Sequence, residues 1–131
     1  MRISIIIPVR NGGGILKRCL RAIADSRLQP FEMIVADDGS TDDTAHVAAA
    51  FGARVITTPK PGSGPAVGRN LAAQHATGDL LFFCDSDVEI KVDTLSRIAQ
   101  IFENDSTLTA LFGSYDDAPS DPNFISQYKN L

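Results

Sequence analysis

Apolar positions along the chain fall into two alternating patterns. Ile3-Ser4-Ile5-Ile6-Ile7-Pro8 is a nearly unbroken β-branched run, the form of a strand buried on both faces of a parallel sheet. Ile15, Leu16, Cys19, Leu20 and Ile23 then recur one, three and four residues apart, which puts them on one face of a helix. The alternation continues. Residues 32–36 read as a second strand, and a helix through Val47 to Ala50 follows, opened by a Ser40/Asp43 capping box and ended at Gly52. Residues 54–58 form a third short strand, residues 59–65 a loop rich in Pro and Gly, and residues 68–76 a third helix stopped by Gly78. Residues 80–84 read as a fourth buried strand. Leu95, Ile98, Ala99 and Phe102 mark a fourth helix, and residues 108–112 are a candidate fifth strand. The order βαβαβαβαβ predicts an α/β fold, a three-layer α/β/α sandwich around a mostly parallel sheet.

Composition narrows the setting. Of 131 residues, 44% are hydrophobic and 21% charged, the balance of a globular domain rather than of a disordered chain. The longest apolar runs fall far short of the roughly 20 residues that cross a bilayer. The start shows no small-residue cleavage site, so no secretory signal is expected. A net charge of −4 gives no bulk attraction for phosphate backbones, and nucleic acid is not an expected partner. Cys19 and Cys84 are too few for a disulfide scaffold and are expected as buried free thiols, in keeping with a cytoplasmic location.

In an open parallel sheet, ligands bind beyond the C-terminal ends of the strands. The unusual residues gather there: Pro8, Val9, Arg10 and Asn11 after the first strand, Asp37 and Asp38 after the second, Asp85, Ser86 and Asp87 after the fourth. Two carboxylates two residues apart in a turn can converge on one hard cation, and oxygen ligands suit Mg2+ or Mn2+ carried by a diphosphate. The other reading is a solvated acidic turn. Asp37 and Asp38 are either helix caps or acceptors for a base or ribose. Arg69 is either a surface cation or a contact to phosphate or sugar, and His46 and His75 read as surface residues. Gly12-Gly13-Gly14 lacks the third spaced glycine of a dinucleotide fingerprint, and no Gly-Lys-Ser/Thr phosphate loop is present.

Four segments together are more specific: Ile5-Ile6-Ile7-Pro8-Val9-Arg10-Asn11, Val35-Ala36-Asp37-Asp38-Gly39-Ser40-Thr41-Asp42, Gly68-Arg69-Asn70 and Asp85-Ser86-Asp87. Their order and separation resemble the family 2 glycosyltransferases of GT-A fold, over residues 1–115. The resemblance implies an inverting enzyme that moves a sugar from a nucleotide diphosphate, most often a UDP-sugar, to the hydroxyl of a saccharide or lipid-linked acceptor. It implies that Pro8, Val9, Arg10 and Asn11 line the base pocket and that Asp38 bonds the base. Gly62, Gly64 and Arg69 would lie beside the nucleotide, Asp85 and Ser86 would reach the ribose or metal, and Asp87 would hold Mn2+ or Mg2+ on the diphosphate.

Family members continue into a half that carries the acceptor site and the base that deprotonates the acceptor, and this chain offers no candidate for that base. Asp116, Asp117 and Asp121 read as a solvated loop, and residues 116–131 as the start of the acceptor-side region. The expectation is the donor-binding half of a larger enzyme, inactive alone, cytoplasmic and at the inner face of the membrane in the full-length protein. An open edge at residues 80–84 or 108–112, or an apolar stripe of Phe124, Ile125, Tyr128 and Leu131, would favour self-association. The alternative is a nucleotidyltransferase-like or non-catalytic nucleotide-binding α/β module.

Overall fold

Strand β1 (Ile3–Val9) is buried along its whole length, as its unbroken aliphatic run requires. The computed structural model describes residues 1–114. Strand β2 (Glu32–Asp37) runs parallel to β1, with Ile5 opposite Met33 and Val9 opposite Asp37. Strand β3 (Arg54–Thr57) flanks β2, and β4 (Leu80–Phe83) lies on the other side of β1, giving a four-stranded parallel sheet in the order β3-β2-β1-β4.

Helices α1 (Gly13–Ala24), α2 (Thr44–Ala50), α3 (Pro65–His75) and α4 (Thr94–Asn104) complete the described elements. The two-residue period of β1 divides the core. Ile3, Ile5, Ile7 and Val9 face one cluster with Leu16, Cys19, Leu20 and Ile23 of α1, Ala48 of α2, and Leu95 and Ala99 of α4. Ile6 faces the other, with Ile34, Ala36 and Ala72 of α3. The result is the three-layer α/β/α sandwich, with α3 the one helix on its face among the described residues.

Four expectations need correcting. Residues 108–112 form no strand. Leu111 is 43% and Phe112 94% exposed, and a strand exists only where a neighbour takes its backbone hydrogen bonds. Strand β4 is therefore the sheet's edge among the described residues, and it is half-buried rather than buried, with Leu81 and Phe83 facing solvent. The third helix begins at Pro65, not after it, because the proline's fixed φ and missing N–H suit the first helical position. Ser40 and Asp43 do not form a capping box: Asp43 makes no side-chain cap bond, and the helix starts at Thr44. Gly52 does close α2 in the left-handed region, at φ 76°, as expected of the residue after a helix. The stripe of Phe124, Ile125, Tyr128 and Leu131, like Asp116, Asp117 and Asp121, lies outside the described residues.

The N-terminal end of the sheet is tied by one polar knot. Ser4 Oγ, fully buried, donates to Glu32 Oε1 (2.6 Å) and accepts from Gly78 N (2.9 Å). Glu32 Oε1 also accepts from Thr77 N (2.7 Å). This end of the sheet is fixed for stability, which leaves the opposite end for ligands.

Candidate functional site

The C-terminal ends of β1 and β2 and the start of α3 enclose a cleft of about 150 Å³, lined by Pro8, Val9, Arg10, Ala36, Asp38, Gly64, Pro65, Gly68 and Ser86. That is smaller than the ~300–1,000 Å³ of a pocket that swallows a whole small molecule, so it suits one ring of a ligand whose remainder lies outside. Gly68 lets α3 come close. A Cβ there would sit 3.2 Å from the Ala36 Cβ and 3.7 Å from the Pro8 Cβ, so any larger side chain would intrude on the cleft floor.

Asp38 is the polar centre of this cleft. It is buried, and its Oδ1 accepts from Thr58 Oγ1 (2.6 Å) and Ser63 N (2.9 Å), while Oδ2 accepts from Gly64 N (2.9 Å). The Thr58 hydroxyl, then the Gly64 and Ser63 amides, hold the Asp38 carboxyl below the usual carboxylate range, with Arg10 adding a smaller attraction. An ionised carboxylate offers about four acceptor positions. Three are occupied, and the fourth, on Oδ2, has no partner among the described residues. Asp38 thus fastens the 59–64 loop and is among the residues that line the cleft.

The other acids of the second strand end work on the scaffold. Asp37 Oδ1 accepts from Ser40 N (3.0 Å) and Ser40 Oγ (2.5 Å). Asp42 accepts from Thr44 N (3.0 Å), from the Thr44 hydroxyl and from Gly13 N (3.2 Å). The Thr44 hydroxyl and amide pull its carboxyl below the ordinary range. Asn11, at φ 50°, clips the first loop to the second: its N–H donates to Ser40 Oγ (2.9 Å) and its Oδ1 accepts from Thr41 N (2.7 Å). It does not line the cleft, and neither does Gly62, which lies against the Arg10 guanidinium.

Glu32, Asp38 and Asp42 all have depressed carboxyl pKa values. A folded-state pKa below the unfolded value contributes stability that is present above about pH 4 and lost as pH falls through the folded value. Urea midpoints are therefore expected to hold from pH 7 to about pH 5 and to fall steeply below pH 4. A midpoint unchanged down to pH 3 would contradict these bonds.

Arg69 and the acid turn sit beyond the cleft. Arg69 Nη2 donates to Asp85 Oδ1, so two residues expected beside the ligand are paired with one another. Ser86 lines the cleft, and Asp87 is exposed beside it. Helix α1 supports this turn from behind, since Cys19 Sγ and Cys84 Sγ both approach the Asp85 carbonyl oxygen (3.7 and 3.6 Å) and Arg18 pairs with Glu89 (2.5 Å). Both cysteines are free and buried. Contact with the Cys19 thiol and burial push the Cys84 thiol up, which makes it a packing residue rather than a nucleophile. Among the described residues, no three His, Cys, Asp or Glu side chains gather at one point. Two exposed carboxylates on one turn fit a Mn2+ or Mg2+ that arrives on a diphosphate, which needs one or two protein ligands, rather than an ion caged by protein alone.

Sequence reasoning did not anticipate Thr58 or the stapling role of Asp42. Thr58 follows β3 directly, so the rule that strand ends carry the site was the available signal. For Asp42 only the local bond to Thr44 was open to view, because its other partner, Gly13, lies 29 residues away.

The sequence model of the family described as Glycosyl transferase family 2 matches residues 4–130. The chain belongs to this family. It is 36% identical over 112 residues to an uncharacterized glycosyltransferase, YfnE, of Bacillus subtilis, a match covering 82% of this chain and 29% of that protein. Among solved structures it is similar to Staphylococcus aureus TarS 1–349 in complex with UDP-GlcNAc, with TM-score 0.75 and 29% identity, covering 79% of this chain and 32% of that one. It is also similar to glucosyl-3-phosphoglycerate synthase from Mycobacterium tuberculosis in complex with Mn2+, UDP and glucosyl-3-phosphoglycerate, with TM-score 0.57 and 33% identity over 72% of this chain and 37% of that one. The fold is that of the GT-A glycosyltransferases, and the chain spans about a third of the length of these relatives.

Proposed function

We propose that this chain is the donor-binding part of a glycosyltransferase and that its cleft takes the base of a nucleotide-diphospho-sugar. The observation that carries the reading is the single free acceptor on the buried, ionised Asp38. Set opposite the ring nitrogen of the base's pairing edge, that acceptor suits uracil and guanine, whose ring N–H donates to it. Cytosine and adenine present a bare ring nitrogen there, which would face the carboxylate lone pair and repel it. Uridine diphosphate is the favoured donor nucleotide, consistent with the UDP and UDP-GlcNAc bound by the similar proteins.

The ribose and diphosphate would then lie along Ser86 and Arg69, and Asp85 and Asp87 would hold Mn2+ or Mg2+, which would supply positive charge to offset that of the diphosphate. Transfer to a saccharide or lipid-linked acceptor belongs to the longer protein, which must supply the group that takes the acceptor's proton within hydrogen-bond reach. The nucleotidyltransferase-like alternative is not favoured. It needs a glycine loop with free amides after β1, but Gly13 and Gly14 are helical, and the amides of Gly12 and Gly13 are taken by Thr44 Oγ1 (3.1 Å) and Asp42 (3.2 Å).

A thermal-shift screen of nucleoside diphosphates with Mn2+ tests the reading, because a ligand that binds only the native state raises the melting temperature. Uridine diphosphate should give the largest rise, and guanosine diphosphate should exceed adenosine and cytidine diphosphates. Equal shifts for all four, or none at millimolar ligand, would count against the proposed donor site.

A further inference from the structure

We propose that Arg69 and Asp85 form an exchangeable latch: their ion pair weakens the acid turn's hold on a divalent cation until a diphosphate draws the guanidinium away. The inference rests on the donor-site reading above and adds to it an order of binding.

Arg69 lies one turn into α3, whose first residues wall the cleft, and its Nη2 reaches across to Asp85 Oδ1 on the turn after β4. One of the two carboxylates expected to face a metal is thus already neutralised. With the guanidinium in place, an incoming cation meets one net negative charge from Asp85, Asp87 and Arg69 instead of two. The contact is also easy to exchange. The Arg69 and Asp85 side chains are 33% and 49% exposed, and a pair so open to solvent shifts an equilibrium by no more than about fivefold.

A diphosphate reverses the balance. Its oxygens match the planar fork of the guanidinium better than one carboxylate oxygen does. Once Arg69 turns to them, both carboxylates are free for the cation. Arg10 does not serve this purpose, since it lies against Gly62 and acts on Asp38 instead. By linkage, what the diphosphate does for the metal the metal does equally for the diphosphate. A divalent cation alone should therefore bind this chain weakly, and the two ligands should arrive together.

Mn2+ binding without nucleotide, read by the loss of the free-ion paramagnetic resonance signal, decides the matter. Arg69→Ala and Arg69→Gln should each tighten Mn2+ binding about two- to fivefold over wild type, with unchanged melting temperatures showing that the fold is intact. Lys60→Ala removes one positive charge from the neighbouring loop without touching Asp85 and should leave Mn2+ affinity where it was. Unchanged or weaker Mn2+ binding in both Arg69 variants overturns the latch, as does an equal gain in Lys60→Ala. The donor-site reading fails separately, if wild-type protein with Mn2+ present does not bind uridine diphosphate at millimolar concentration.

Discussion

Asp38→Ala is expected to weaken nucleotide diphosphate binding about 10- to 100-fold, the loss associated with one hydrogen bond to a charged group. The effect has two sources. The ligand loses its acceptor in the cleft. The Thr58 hydroxyl and the amides of Ser63 and Gly64 also lose their common partner, so the 59–64 loop is no longer fixed against the end of β2. Thr58→Val separates these sources: it removes one donor to Asp38 while leaving the carboxylate and both amides. It should weaken binding by less than Asp38→Ala does, and the difference reports the acceptor together with the two amide bonds that Thr58→Val keeps. Isothermal titration of both variants against uridine diphosphate and Mn2+ checks this, and equal losses in the two would mean that Asp38 acts only through the loop.

Gly39→Ala is expected to be the most damaging single-methyl change in this region. Gly39 has φ 74°, and a Cβ would stand 2.6 Å from the Pro61 Cβ and 3.0 Å from its Cα. The left-handed backbone alone costs an alanine about 1–2 kcal/mol. The overlap with Pro61 cannot be relieved by a rotamer change, because a proline ring has none to offer. The 59–64 loop would have to retreat, yet Ser63 and Gly64 tie it to Asp38. Conflicts of this kind cost about 2–4 kcal/mol in total, which for a domain of this size lowers Tm by roughly 10 °C. Nucleotide affinity should fall in the same variant. A Tm within about 2 °C of wild type would mean that the loop accommodates the methyl group and that its contact with Gly39 is loose.

Elements whose character is set by nearby residues were legible in the sequence. The aliphatic run of β1 could be nothing but a central strand, and the stripe from Leu16 to Ile23 nothing but a helix packed on it. The failures share a cause. Leu80 to Phe83 is as apolar as β1, but apolar content does not report whether a neighbouring strand exists on the outer side, and here none does among the described residues. Residues 108–112 have strand composition and no partner. Pro65 read as a loop residue because the same fixed φ that ends one element can begin another.

The site divides in the same way. That Pro8, Asp38 and Ser86 would meet follows from one rule about strand ends in parallel sheets. The division of labour among Asp37, Asp38, Asp42 and Asn11 does not, because it depends on partners up to 30 residues away. The Arg69–Asp85 pair is hidden for a related reason, since its two residues lie 16 positions apart in different elements.

Exchanging the acceptor for a donor tests the account most directly. Asp38→Asn keeps the shape of the side chain but can turn an N–H into the cleft in place of the free carboxylate lone pair. Wild type and Asp38→Asn should be titrated calorimetrically with uridine and cytidine diphosphates in saturating Mn2+. Wild type should prefer uridine diphosphate, and Asp38→Asn should lose this preference or reverse it, because its amide can donate to the bare ring nitrogen of cytosine. An unaltered preference for uridine diphosphate in Asp38→Asn would contradict the claim that Asp38 reads the base.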